Sequence, residues 1–451
     1  MIEKYYSGVI EQIYNRIGKE TRNIVMANYS NDFSIENLEV IRRYQSNEDN
    51  VFFAYSEFSY NTLVGAYEPF LDIICNMHRR FIGGSFDDFQ KECGVYYLHR
   101  QVLNSYYETG ECFREETVLL NEVAYEQRRM TMAIADMLKK LSEVKPLMIV
   151  INRFQMASKS SIETIKYLID NPCANIGIVL GVNPIVKGTD STVEVWDRIV
   201  ESLEDRSAIY YIGSAGPLKN NVKTTNDDEL YITMNFEQSI QEASNIMEFL
   251  DFEQARRGCR IIEHKLKFED AWIDEKSLRR FYMVYARTSV LLGEMSKAIE
   301  LTNEYKALIP ENDSEHYLSL YYFMKGTCYM YQGKLEKAGN SAKSAYDYAV
   351  LAEDDTLIFK AELLSVMIKM SGWYNIFFCV QDIPVSDEII EKLIKHGYRN
   401  HLAHIYIYAY DNSRDVVKQS FYDESLLKHF TKGLELAKEI GNEQLVYDAY
   451  Q

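Results

Sequence analysis

Leu147-Met148-Ile149-Val150-Ile151 is an unbroken apolar run of strand length. A strand with one face in water alternates apolar and polar residues, whereas an uninterrupted run is covered on both faces, as in a parallel sheet sandwiched by helices. Runs of the same kind occur at 23–26, 51–55, 176–182 and 209–212. Long helical patterns separate them, notably 117–141. Strands alternating with helices predict an α/β domain with a parallel sheet over residues 1–212.

The pattern then changes. Residues 213–229 are rich in Gly, Asn, Asp and Thr and poor in apolar side chains, which predicts a linker or exposed loop, taken as 213–234. From 235 to 451 almost every segment has helical periodicity, and internal similarity appears. Gly293-Glu-Met-Ser-Lys-Ala298 returns as Gly333-Lys-Leu-Glu-Lys-Ala338, a period of 40 residues, and Ser371-Gly372-Trp373 follows at nearly the same interval. A glycine that turns the chain, followed by a small residue where two antiparallel helices meet, resembles the tetratricopeptide repeat. Ala286, Gly326 and Pro310 hold the supporting positions, while Phe377 stands where the third copy should carry Ala. The final stretch, 425–451, has the pattern of one repeat helix, a Gly441-Asn442 turn and the start of another helix, so the chain is expected to be part of a longer polypeptide.

Composition narrows the partners. With 49 Lys and Arg against 67 Asp and Glu, the chain carries a net charge of -18, which disfavours nucleic acid and anionic membrane surfaces. Seven cysteines form no CxxC pair, and there is neither a secretory-type start nor an apolar stretch of membrane-spanning length. A cytoplasmic protein with reduced thiols is the expectation.

The residues after the 147–151 strand carry the functional reading. Asn152 and Arg153 stand there, followed by a loop and an amphipathic helix from Phe154 to Leu168. In P-loop nucleotide hydrolases a carboxylate at that point holds Mg²⁺ or its water shell. The order of segments resembles the signal-transduction ATPases with numerous domains, an AAA-type P-loop branch that includes maltose-regulon-activator-like regulators. The likeness covers 1–212 as the core and about 275–451 as the repeats, and Tyr67-Glu-Pro-Phe-Leu-Asp-Ile-Ile74 matches the proline-containing helix start after the second strand.

That resemblance places a phosphate loop at 27–34. Laid on G-x-x-x-x-G-K-[ST], Ala27 and Asp32 replace the glycines, Phe33 replaces the lysine and Ser34 alone is retained. Without Gly the backbone cannot approach the phosphates, and without Lys their charge is not neutralised. Asn152 and Arg153 replace the acidic pair that the family uses for metal and water, and Asn183 falls at its polar sensor position. The reading is a non-hydrolysing pseudo-ATPase joined to a tetratricopeptide-like superhelix, with no cofactor and no metal. Its partner would be a protein or peptide in the helical groove, which 35 tyrosines could help to line, and self-association stays open. Two alternatives are carried: a slow or metal-independent nucleotide-binding switch that uses Ser34, Asn152 and Asn183, ATP with Mg²⁺ being the cofactor it would take if any, and the sensory half of a larger regulator whose output makes a nucleotide messenger or binds DNA. His396, His401 and His404 could share a helical face, but no Asp or Cys spacing beside them marks a metal site. Segment 80–145 carries no readable motif.

Overall fold

The computed structural model describes residues 2–29, 38–46, 50–59, 63–116, 118–183, 186–187, 190–205, 208–212, 223–224, 235–268, 273–312, 314–375, 387–409 and 424–450. The chain divides into two compact units. Residues 1–95, 102–113 and 124–271 form a sheet unit, and 96–101, 114–123 and 272–451 form a repeat unit.

In the sheet unit five strands, β1 (Ile24–Tyr29), β2 (Phe52–Glu57), β3 (Leu147–Asn152), β4 (Ile176–Val182) and β5 (Ile209–Ile212), lie in the order β2-β3-β4-β1-β5 with every pairing parallel. All five predicted strands are present, their ends shifted by up to three residues. Every residue of β3 and β4 is buried, and because consecutive side chains point to opposite faces, both faces of the sheet are covered. Helices α1 (Ile2–Arg16) and α2 (Glu39–Ser46) cover one face: Tyr6, Ile10 and Ile13 pack with Val25, Met148, Val150 and Val179. Full burial of each such side chain is worth about 1.5–3 kcal/mol.

The connection from β2 to β3 holds α3 (Phe70–Met77), α4 (Phe86–Glu92), α5 (Tyr97–Thr109) and α6 (Val123–Val144). The single helix predicted over 117–141 therefore starts later, at Val123, behind a one-turn 3₁₀ segment at Leu120–Glu122. After β3 come α7 (Lys159–Asp170) and α8 (Asp190–Glu204), then α9 (Phe236–Glu248) and α10 (Phe252–Phe268). Asn235 caps α9 by accepting the Gln238 N–H. The last two helices, grouped with the repeats in the sequence reading, belong to the sheet unit. Their connecting turn is held there: Asp251 accepts the N–H of Ser160 at 3.0 Å, Gln254 donates to the Val64 carbonyl at 2.9 Å, and Phe249 meets Tyr67 edge-on. Most of the predicted linker lies outside the described residues.

The repeat unit contains α11 (Glu275–Leu291), α12 (Met295–Ala307), α13 (Ser314–Tyr331), α14 (Leu335–Leu351), α15 (Asp355–Asn375), α16 (Asp387–Lys395), α17 (Arg399–His404), α18 (Glu424–Ile440) and α19 (Glu443–Tyr450). Gly293 and Gly333 end α11 and α13 in the left-handed region, at φ of 77° and 70°, where a side chain would be strained. Ala298 and Ala338 are fully buried, and Ala342, Ala345 and Ala349 continue a small-residue stripe along α14. Gly326 permits the close approach on the other side: a Cβ there would lie 3.0 Å from Leu364 and 3.4 Å from Ser341.

The third copy is corrected. Gly372 lies inside α15, which runs on to Asn375, and the turn after that helix, the counterpart of those at Gly293 and Gly333, falls outside the described residues. A glycine is tolerated within a helix at a cost of about 1 kcal/mol, so its spacing alone did not mark a turn. The Gly441-Asn442 turn is present, with Asn442 accepting the Leu445 N–H at the start of α19.

Candidate functional site

The strand order creates a switch point. From β1 the chain crosses to the far edge at β2 and returns through β3 and β4, whereas β5 lies on the opposite side of β1. Connections thus leave the carboxyl ends of β1 and β4 in opposite directions, which opens a crevice of the kind where α/β sheets bind ligands.

Amides line that edge. Asn152 ends β3, is fully buried and lies beside Glu57 of β2 in register. Its side chain crosses toward β4 at Gly181, where a Cβ would sit 2.8 Å from Asn152 Oδ1 and against the Tyr6 hydroxyl. Asn183, just past β4, donates its backbone N–H to Gln155 Oε1 at 3.3 Å. The Asn28 Oδ1 near the end of β1 is buried with no hydrogen-bond partner among the described residues.

Arg153 adds the cation. It adopts φ 55° and turns its guanidinium back to Glu57, with Nη1 at 3.1 Å from Oε1, and donates to the Phe58 carbonyl at 3.3 Å. The Tyr55 hydroxyl donates to the other oxygen of Glu57. Both charged side chains are largely buried, 22% and 16% exposed, so the pair is much less screened than a surface one. Asn152, Arg153 and Asn183 are therefore brought to one sheet edge. Ala27 is a correction: it lies inside β1, opposite Gly181, and not in the loop beyond, because β1 runs on to Tyr29. Asp32, Phe33 and Ser34 lie outside the described residues.

Sequence reasoning missed a second feature of this unit. The loop after β2 and the helices α5 and α9 enclose a cavity of about 320 Å³ lined by Leu63, Glu68, Asp72, Tyr106, Glu242 and Phe249 among others. Asp72 accepts the Tyr106 hydroxyl at 2.9 Å and Glu68 accepts the Gly65 N–H at 2.9 Å. Burial, with Glu68 and Asp72 close by, pushes the Glu242 carboxyl up to about 7, and burial also raises Glu68. The Glu242 carboxyl can therefore take up or release a proton near neutrality. Their positions, 68, 72 and 242, gave no local motif.

Beneath the cavity a polar lock joins three segments. Ser160 Oγ accepts the Tyr67 N–H at 3.0 Å, Ser161 Oγ donates to the Glu68 carbonyl at 2.7 Å, and Asp251 closes the set on Ser160. Tyr67, whose N–H belongs to this set, and Leu250, which precedes Asp251, both sit at positive φ, 56° and 67°. Ser158 caps α7 by accepting the Ser161 N–H, which fixes the helix that follows Arg153.

In the repeat unit His401 and His404 are buried, each against a carboxylate, while His396 stacks on Phe359 at 4.4 Å. Among the described residues no group of three or more His, Cys, Asp or Glu has the arrangement of a metal site.

No protein-family model matches the chain, and no curated protein matches it. Among solved structures it is similar to a Signal Transduction ATPase with Numerous Domains (STAND) protein with a tetratricopeptide repeat sensor from Pyrococcus horikoshii. The identity is 12%, the match covers 98% of this chain and 78% of that one, and the TM-score is 0.40. These values are too low for either activity or ligand to pass from that protein to this one.

Proposed function

We propose that the chain is a non-hydrolysing signalling scaffold, a pseudo-ATPase sheet unit followed by helical repeats that bind a protein or peptide partner. The ion pair of Arg153 with Glu57 beside Asn152 is the observation that carries this reading. Hydrolysis of a nucleoside triphosphate needs a carboxylate free to hold Mg²⁺ or its water shell where β3 ends. Among the described residues the other donors at this edge are amides, and Glu57 is already neutralised by a guanidinium. Arg is permanently protonated and can serve neither as a metal ligand nor as a general base. The described residues at this edge do not fit Mg²⁺.

The repeats supply the binding element. Half-buried tyrosines of α13 lie under cations: Arg279 stands 4.9 Å over Tyr317, and Lys337 stands 5.9 Å from Tyr329. Such rings give rigid amphipathic contact area of the kind enriched in protein interfaces. Among the described residues no helix is long and apolar enough to cross a membrane.

Calorimetric titration of the purified chain with ATP and with ADP, each with and without Mg²⁺, tests the proposal. The expected result is no binding heat, together with partner capture that is indifferent to nucleotide. Saturable, Mg²⁺-dependent binding would overturn it and return Ser34, Asn152 and Asn183 to the status of ligand contacts.

A further inference from the structure

Two carboxylates from segment 114–123 are sealed inside the repeat unit. Glu116 is fully buried; its Oε1 faces His401 Nδ1 at 2.6 Å and its Oε2 accepts the Asn400 N–H at 3.1 Å. Glu122, 3% exposed, faces His404 Nε2 at 2.8 Å and accepts the side-chain amides of Asn442 at 3.0 Å and Asn400 at 3.1 Å. Asn400 Oδ1 in turn accepts the Tyr96 hydroxyl at 2.9 Å. Segments 96–101 and 114–123 are thus bound to α17 and the α18–α19 turn through a buried polar network.

Charge makes this network sensitive to protons. An imidazole–carboxylate pair is neutral when the imidazole holds two protons and the carboxylate none. Stripping a proton leaves a buried negative charge, and adding one leaves a buried positive charge, each costly in a place without water. The other charged groups do not duplicate this. On the two segments Arg100 and Arg114 are permanent cations, Glu115 is exposed, and His99 packs edge-on against Tyr96. From the repeats, Arg399 pairs with Glu439 of α18, and His429 stacks on Tyr406. Burial pushes the Tyr97 phenol up to about 12 and raises Tyr331 and Tyr398, so these hydroxyls stay neutral.

We propose that residues 96–101 and 114–123 form a strap docked on the repeat unit by a proton-dependent latch, closed while each imidazole–carboxylate pair is neutral and opened when a proton is removed or added. The strap is flanked in sequence by 102–113 and by 124 onward, both of the sheet unit. Burial alone would raise Glu122, but His404 and the two amides outweigh it and hold the carboxyl at about 2. Its contribution is therefore complete above the ordinary carboxylate range and lost only as pH falls through about 2.

Hydrogen exchange of the full chain, read by peptide mass spectrometry and corrected for intrinsic rates, tests the latch over about pH 5.5 to 9. The amides of 118–123 should lose protection by about tenfold or more toward alkaline pH while those of β3 do not change. In the double variant Glu116→Gln, Glu122→Gln the neutral form of each pair is the one with a neutral imidazole, so protection should instead fall toward acid pH. A flat wild-type profile overturns the proposal without reference to any variant. A folded double variant that keeps the wild-type profile overturns it as well.

Discussion

Glu242 has the clearest single-residue consequence. Its carboxyl, raised to about 7 by burial and by Glu68 and Asp72, binds a proton in the native state that the unfolded chain has already released. Stability should therefore fall as pH rises from about 4.5 to about 7 and remain lower above that. Glu242→Gln removes the loss: the variant is expected to be more stable than wild type by about 1–3 kcal/mol at alkaline pH, and the difference should vanish at acid pH. Urea midpoints on either side of the window measure it, and equal midpoints throughout would mean that the carboxyl is well solvated. Arg153 illustrates the opposite case. Its charge was legible in the sequence, but its partner was not, because Glu57 lies on another strand and only the parallel register of β2 and β3 brings the two together.

The elements were legible in proportion to how local their causes are. An apolar run covered on both faces leaves little choice but a central strand, and all five runs became strands of one parallel sheet. Gly293 and Gly333 were readable as turns because each is followed at a fixed interval by a buried alanine. Gly372 misled because composition does not separate a helical glycine from a terminal one. Ala27 misled by strand length, since β1 runs on to Tyr29. Gly181 was passed over inside an apolar run, yet it is where Asn152 and Tyr6 cross β4. Gly181→Ala is expected to cost about 1–3 kcal/mol, the usual cost of overpacking, because the buried Asn152 cannot swing away as an exposed chain could. A fall in the thermal midpoint with an unchanged far-ultraviolet spectrum would support this; an unchanged midpoint would show that α1 shifts freely.

At the scale of the molecule, the repeat unit is built from three stretches of chain, two of them inserted from within the β2–β3 connection. Nothing in segment 80–145 announced this, since its burial depends on residues near the other end of the sequence. A fragment of residues 272–451 retains His401, His404, Asn400 and Asn442 but lacks both carboxylates. It is expected to unfold at a lower temperature than the repeat unit of the full chain, losing about 3–5 kcal/mol for each buried pair broken. Equal midpoints by calorimetry would mean that the strap adds nothing. The same discontinuity orders events during synthesis. Glu116 precedes His401 by 285 residues, so at about 5–20 residues per second the strap leaves the ribosome roughly 15–60 s before its pocket exists. All of β3, β4 and β5 emerge in that interval, so the sheet unit can close around a nascent chain whose repeat unit, begun earlier, still waits for its last helices.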